Sequence, residues 1–293
     1  MDKLQRLRDL ASQPEAQIDY ALTLIAGESR QDIVEEALTV LATVPGDPRL
    51  HDALVAAYER FESGPGRGDQ GCYGRAAILR ALRPVARRDD STLLAHAAST
   101  YEFLPPFSPA NRSDVAAGLR STALVVLNDV DEQLAAYHAV RLLDDQYTST
   151  LSGEPALTAA QTLAVQGQYL PLYAYAARAE GTMPEIVAEC LRNLRGVPLS
   201  VLRPLVDRYG DSPHDIIVLG VFEVLLEHPE RRVFFPRIVA FLRETMRIDL
   251  YRWLVNAVLT SREQDLIAVI KSLEHEEHDR RKLAILHDAL ALR

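Results

Sequence analysis

Apolar positions along this chain recur at i, i+1, i+4, i+5 and i+8, one face of an α-helix. The clearest case lies between Ser212 and Pro229, where Ile216, Ile217, Gly220, Val221 and Val224 hold the spacing. Its punctuation is complete: Ser212 reads as the N-cap, Pro213 as the first helical residue and Pro229 as the stop. Asp215 sets a carboxylate near the free N–H groups of the first turn. The same face returns as Ile33, Val34, Ala37, Leu38 and Leu41, as Ile186, Val187, Cys190, Leu191 and Leu194, and as Leu250, Tyr251, Leu254, Val255 and Val258. A further copy is expected on Ala77, Ile78, Ala81, Leu82 and Val85. A weaker one opens at Asp114 with Ser113 as its cap.

Between the copies lie more helical patterns, at about residues 18–26, 49–62, 91–103, 131–144, 154–166, 169–179, 198–209, 231–244, 262–275 and 279–292. No alternating run of β-branched residues bounded by hairpin turns competes with them. An acid followed by two mostly apolar residues opens five copies, at Asp32, Asp114, Glu185, Asp215 and Asp249. Allowing a degraded copy near Leu157, they recur roughly every 30–45 residues, the length of a helical hairpin repeat. A lone hairpin cannot bury its apolar face; stacked hairpins share a continuous core.

The blocks Ile33-Val34…Ala37-Leu38…Leu41 and Ile186-Val187…Cys190-Leu191…Leu194 resemble HEAT and HEAT-like repeats. The resemblance covers nearly the whole chain. It implies an all-α fold, a right-handed α-solenoid of about eight stacked hairpins running through residues 1–293 as a single domain. A long Gly-rich loop at 63–71 interrupts it, with a more irregular N-terminal half and a more compact C-terminal half. The stretch Asp69–Leu82, followed by Asp114 and Leu119-Arg120, is similar to bacterial HEAT-repeat proteins, a likeness that implies no activity.

Composition narrows the class. The 293 residues are 48% hydrophobic, ordinary for a folded chain. Cys72 and Cys190 form no CxxC and no disulfide framework, which fits a reducing compartment. The first ten residues are charged and periodic, without the apolar core of a secretory signal. Apolar runs of about seven residues fall far short of the ~20 that a spanning helix needs. The expectation is a cytoplasmic protein with no membrane contact. A formal charge of −9 argues against a nucleic-acid partner, whose phosphates call for a basic stripe.

Candidate chemistry is sparse. Gly66-Arg-Gly-Asp-Gln-Gly71 spells GxGxxG, but a helix precedes it where a dinucleotide site needs a strand, so a flexible inter-helix loop is expected. Arg67-Gly68-Asp69 within it matches an adhesion tripeptide by chance. His275 and His278 stand i, i+3 rather than the i, i+4 of a zinc protease helix, and read as a solvated helix end. Cys72, near a helix start with Arg75 close by, has the setting of an activated thiol; packing as a small apolar residue is the commoner use. Cys190 lies on the apolar face and belongs to the core. No catalytic, cofactor or metal site is assigned.

Arg75, Glu102, Asp114 and Arg120 are expected to form a polar cluster across neighbouring repeats, either an inter-repeat salt-bridge ladder or part of a partner-binding surface. Tyr137, His138, Tyr169, Tyr173 and Tyr175 add aromatic rings near the middle, mostly for packing. Trp253 invites comparison with HEAT-like alkylpurine DNA glycosylases, which use Trp and Asp in a basic groove, but their pattern is not matched residue by residue. The functional expectation is a non-enzymatic scaffold or adaptor that binds another protein along its concave helical face. The alternative is a nucleic-acid-binding or glycosylase-like DNA-repair protein using the same groove.

Overall fold

A computed structural model describes residues 2–64, 69, 71–104, 114–179 and 183–291. The regular elements among those residues are all helices, with no strand; Phe103 and Asp114 make one isolated antiparallel bridge. The contacts divide the chain into two compact units, Met1–Gln168 and Tyr169–Arg293.

The first unit holds α1 (Lys3–Asp9), α2 (Pro14–Gly27), α3 (Gln31–Leu41), α4 (Leu50–Ser63), α5 (Tyr73–Leu82), α6 (Ser91–Ala97), α7 (Ala117–Val130), α8 (Glu132–Leu143) and α9 (Ala156–Val165). The second holds α10 (Tyr169–Arg178), α11 (Pro184–Arg192), α12 (Leu199–Tyr209), α13 (Asp215–Glu227), α14 (Phe235–Glu244), α15 (Ile248–Ser261), α16 (Gln264–Glu276) and α17 (Arg280–Ala291). Even-numbered helices pair with the next odd one: α2 with α3, α4 with α5, α6 with α7, α8 with α9, and likewise from α10 to α17. Odd-numbered helices also pack on the next odd helix, α3–α5–α7–α9 in the first unit and α11–α13–α15–α17 in the second.

The apolar spacing explains this packing. All five template residues of α3 are buried, and so are those of α15. In α11 and the residues just after it, Ile186, Val187, Cys190, Leu191 and Leu194 are all buried. Helix α13 buries more than one stripe: Val218, Phe222 and Leu225 join Ile217, Val221 and Val224, while Ile216 is only half-buried. Such a helix has neighbours on several sides. Its beginning differs from the sequence expectation. The helix starts at Asp215 with His214 at the N-cap, and the Ser212 hydroxyl instead accepts from the His214 N–H.

Three further expectations shift. In α5 the buried positions are Ala76, Ile78, Leu79 and Leu82, with Ala77, Ala81 and Val85 only half-buried. The cause is Arg75, a buried guanidinium that an apolar count assigns to solvent. The helix expected to reach Phe103 stops at Ala97, because backbone groups beyond it serve charged side chains. Asp114 precedes α7 rather than opening it, and Ser113 lies outside the described residues.

Polar ties cross from hairpin to hairpin. The Tyr209 hydroxyl donates to Ala176 O at 2.7 Å, and Arg60 Nη2 donates to Ile25 O and Glu28 O, each at 2.8 Å. His228 is buried; its Nδ1 accepts from the Glu230 N–H, which leaves the proton on Nε2 to be donated to Val197 O at 2.9 Å. Each tie satisfies a backbone carbonyl at or near a helix end, where intrahelical donors run out. No described helix is long and apolar enough to cross a membrane.

The tightest approach is at Gly220. A Cβ there would stand 2.7 Å from Ala188 O and 3.0 Å from Ala188 Cα, so α13 crosses the α11 backbone where only hydrogen fits. Gly118, in the first turn of α7, faces open space. Gly220→Ala is therefore expected to destabilise by about 1–3 kcal/mol through overpacking. Gly118→Ala is expected to stabilise by about 0.5 kcal/mol through the unfolded chain and helix propensity. Urea melts followed by circular dichroism read both; a harmless Gly220→Ala would show that the helices do not cross there.

Candidate functional site

Two odd-numbered helices begin with the same device. Before α5, the Asp69 carboxylate accepts from the N–H groups of Gly74 at 2.6 Å and Arg75 at 3.2 Å, and from Arg75 Nε at 2.8 Å. Before α7, Asp114 Oδ1 accepts from the Ala116 N–H at 3.2 Å, and Oδ2 receives Arg120 Nη1 at 2.5 Å. In both cases an acid ahead of the helix caps free N–H groups and neutralises an Arg six positions later. An Arg so placed lies inside the helix and turns back toward its N-terminus, as helical side chains do.

Glu102 joins the two devices. Its carboxylate lies 2.6 Å from Arg75 Nη2, and its own N–H donates to Asp114 Oδ1 at 2.9 Å. The structure therefore brings Arg75, Glu102, Asp114 and Arg120 into one network. Three members escaped the sequence reading: Asp69, Asp145 and Tyr101. The repeated Asp-to-Arg spacing of six is the signal in the sequence for Asp69, where a flexible loop is expected from the glycines around it. Asp145 and Tyr101 arrive from distant segments, with no local signature.

Arg120 is the deepest of these side chains, with 0% exposure. Besides Asp114, its Nη2 lies 3.1 Å from Asp145 Oδ2, Nη1 donates to Thr100 O at 3.0 Å, and the guanidinium carbon sits 4.1 Å from the centre of the Tyr101 ring. The Tyr101 hydroxyl donates to Asp145 Oδ2 at 3.1 Å and accepts from Arg141 Nη1 at 2.9 Å. Among the described residues Arg120 Nε has no hydrogen-bond partner. Two carboxylates, a carbonyl and an aromatic face thus compensate one buried cation.

Cys72 sits against this network in a left-handed conformation, φ 58°, at the N-cap of α5. It is fully buried, 3.1 Å from Arg75 Nη2 and 3.5 Å from Glu102 Oε2. Burial outweighs the pull of Arg75, and the nearby Glu102 adds to it, so the thiol is pushed up to about 12. That is the opposite of an activated cysteine. Cys190 is buried and shifted upward too, by burial first and then by Glu189. Of the GxGxxG stretch, Asp69 and Gly71 are described, and Asp69 is occupied by Arg75; Gly66, Arg67, Gly68 and Gln70 lie outside the described residues. His275 is exposed, with Nδ1 2.9 Å from Lys271 O, and the described residues hold no cluster of metal-ligating side chains. Tyr169, Tyr173 and Tyr175 are half-buried, and Tyr137 is exposed.

The second unit carries a surface cavity of about 750 Å³ along α13 and α15. Trp253, Leu226, Asn256, Thr260 and Glu223 line it. Burial holds the Glu223 carboxyl above its usual range, opposed by Arg192 and reinforced by Glu189 and Glu227. The arginines around the groove are matched by acids: Arg192 Nε lies 2.9 Å from Glu223, Arg195 Nη1 2.7 Å from Glu227, and Arg231 Nε 2.7 Å from Glu263. They form alternating pairs rather than a basic stripe.

Two outcomes test the buried network. Arg120→Ala is expected to cost about 3–5 kcal/mol, because it strands Asp114 and Asp145; a chemical-denaturation shift below 1 kcal/mol would show that the cation is not buried and paired. Both thiols should resist Ellman's reagent at pH 8 until denaturant is added, since neither forms thiolate there. Rapid labelling of native Cys72 would contradict the buried geometry. No family model matches this chain, and no curated protein matches it either.

Proposed function

We propose that this protein is a non-enzymatic scaffold or adaptor, and that the hairpins of each unit stack as HEAT-like repeats in the manner of a right-handed α-solenoid. The spacing of the polar ties supports the repeat reading. Arg195 meets Glu227, Arg231 meets Glu263 and Arg243 meets Glu276, each about one repeat further along the chain. In such a stack the odd-numbered helices share one face, and a partner's helix or extended segment lies across several of them.

The observation that carries the binding reading is the Trp253 groove. The chain's one tryptophan lines this cavity of about 750 Å³, beside Leu226, Asn256 and Thr260. A large amphipathic ring with amide and hydroxyl neighbours is the composition of an interface anchor. The matched arginines favour a polypeptide over a polyanion, because each guanidinium already has a carboxylate. The competing reading is a HEAT-like DNA-repair glycosylase. It would draw on the same groove, where Trp253 and the Glu223 carboxyl, raised by burial, both stand.

Affinity capture from nuclease-treated native extract tests this, comparing the natural chain with Asn256→Arg, about one helical turn from Trp253 on the groove wall. The expected result is a stoichiometric protein partner whose recovery drops at least about tenfold with the variant. Recovery of nucleic acid, or of proteins lost on nuclease treatment, would overturn the scaffold reading in favour of the glycosylase.

A further inference from the structure

Helices α5, α7 and α9 of the first unit enclose a cavity of about 390 Å³, lined by Arg80, Arg83, Ser121, Val125, Val126 and Thr158. Its two arginines differ in company. Arg83 Nε donates to Asp129 Oδ2 at 2.6 Å. Arg80 is exposed and, among the described residues, meets no acid, carbonyl or ring. Arginines that line cavities of the second unit have carboxylates nearby: Arg195 with Glu227, Arg231 with Glu263, Arg237 with Asp207 and Asp211, Arg243 with Glu276 and Arg247 with Asp215. In a chain with 41 acids against 32 basic residues, an unmatched guanidinium at a cavity is a charge with room for a ligand.

The lining and the acids beside it narrow that ligand. Glu154 is already engaged: its Oε2 lies 2.7 Å from the Ser121 hydroxyl and accepts from the Thr158 N–H at 3.3 Å. Asp129 answers Arg83, which leaves Arg80 as the one open guanidinium at the cavity, so it favours an incoming single negative charge over a phosphate dianion. Val125, half-buried and backed by the buried Val126, offers apolar contact for whatever bears that charge. A guanidinium meets a carboxylate in fork geometry, which fixes orientation as well as charge.

The geometry points to a site for a carboxylate on an apolar stem: an acidic side chain with aliphatic neighbours, in an extended segment of a partner protein. This assignment rests on the protein-binding reading and gives the chemistry that the first unit accepts. Arg80 forms the ion pair, and the valines cover the stem.

The test uses the full chain with methyl-labelled valines and sodium hexanoate as the probe, set against hexanamide and inorganic phosphate. Hexanoate at millimolar concentration is expected to shift the Val125 and Val126 methyl resonances saturably, while hexanamide leaves them in place. Arg80→Gln should weaken hexanoate binding about tenfold without moving the unfolding midpoint, since Arg80 has no partner to lose. Shifts that hexanamide reproduces, shifts indifferent to Arg80→Gln, stronger binding of phosphate, or no shift at all would each overturn the assignment. If hexanoate fails while a captured protein partner stays bound, the cavity chemistry falls and the protein-binding reading stands. If hexanoate binds and no protein partner exists, the reverse holds.

Discussion

A guanidinium taken wholly out of water has to be met by charge, and much of the first unit is arranged around meeting Arg120. Asp114 and Asp145 supply the charge, Thr100 a carbonyl and Tyr101 a ring face. These four partners come from before α7, after α8 and after α6, so pairing the cation also fixes three connections. The early end of α6 follows from it. Beyond Ala97 the backbone gives its Thr100 carbonyl to Arg120 and its Glu102 N–H to Asp114, and neither group remains for a helix. Glu102 then extends the network to Arg75 and the start of α5. The apolar faces decide that helices pack; this ionic network decides where three of them begin and end.

Much of that was legible beforehand, and the misses have physical causes. The faces of α3, α11 and α15 could be read directly, because their buried positions are all apolar and follow one period. The face of α5 could not, because a paired Arg75 occupies a core position and an apolar count looks past it. The α13 cap went to the wrong residue since Ser212, Pro213 and Asp215 all favour a helix start, and only the backbone shows that Ser212 serves a preceding turn. For the polar cluster, Arg75, Glu102, Asp114 and Arg120 were recoverable from sequence. Asp145 and Tyr101 were not, since their role depends on which segment packs over Arg120.

The same reasoning separates structural charge from charge that is open to a ligand. In the buried network the acids and guanidiniums face one another, and Cys72 among them is held as a thiol. Two of the open places lie on the odd-numbered helices: the Trp253 groove in one unit and the Arg80 cavity in the other. Both combine an apolar wall with a few polar groups, the composition of a surface that binds segments of polypeptide. Fold by itself assigns no function, so the weight falls on these two places rather than on the helical architecture.

The central claim is that the exposed side of the odd-numbered helices is the binding face. Site-specific photocrosslinking in living cells tests it most directly, with the probe placed at Thr260 on α15 and, separately, at Val239 on α14, residues that line different cavities. The account predicts a discrete protein adduct from Thr260 and none from Val239. An adduct from Val239 alone, or adducts to nucleic acid from Thr260, would contradict it.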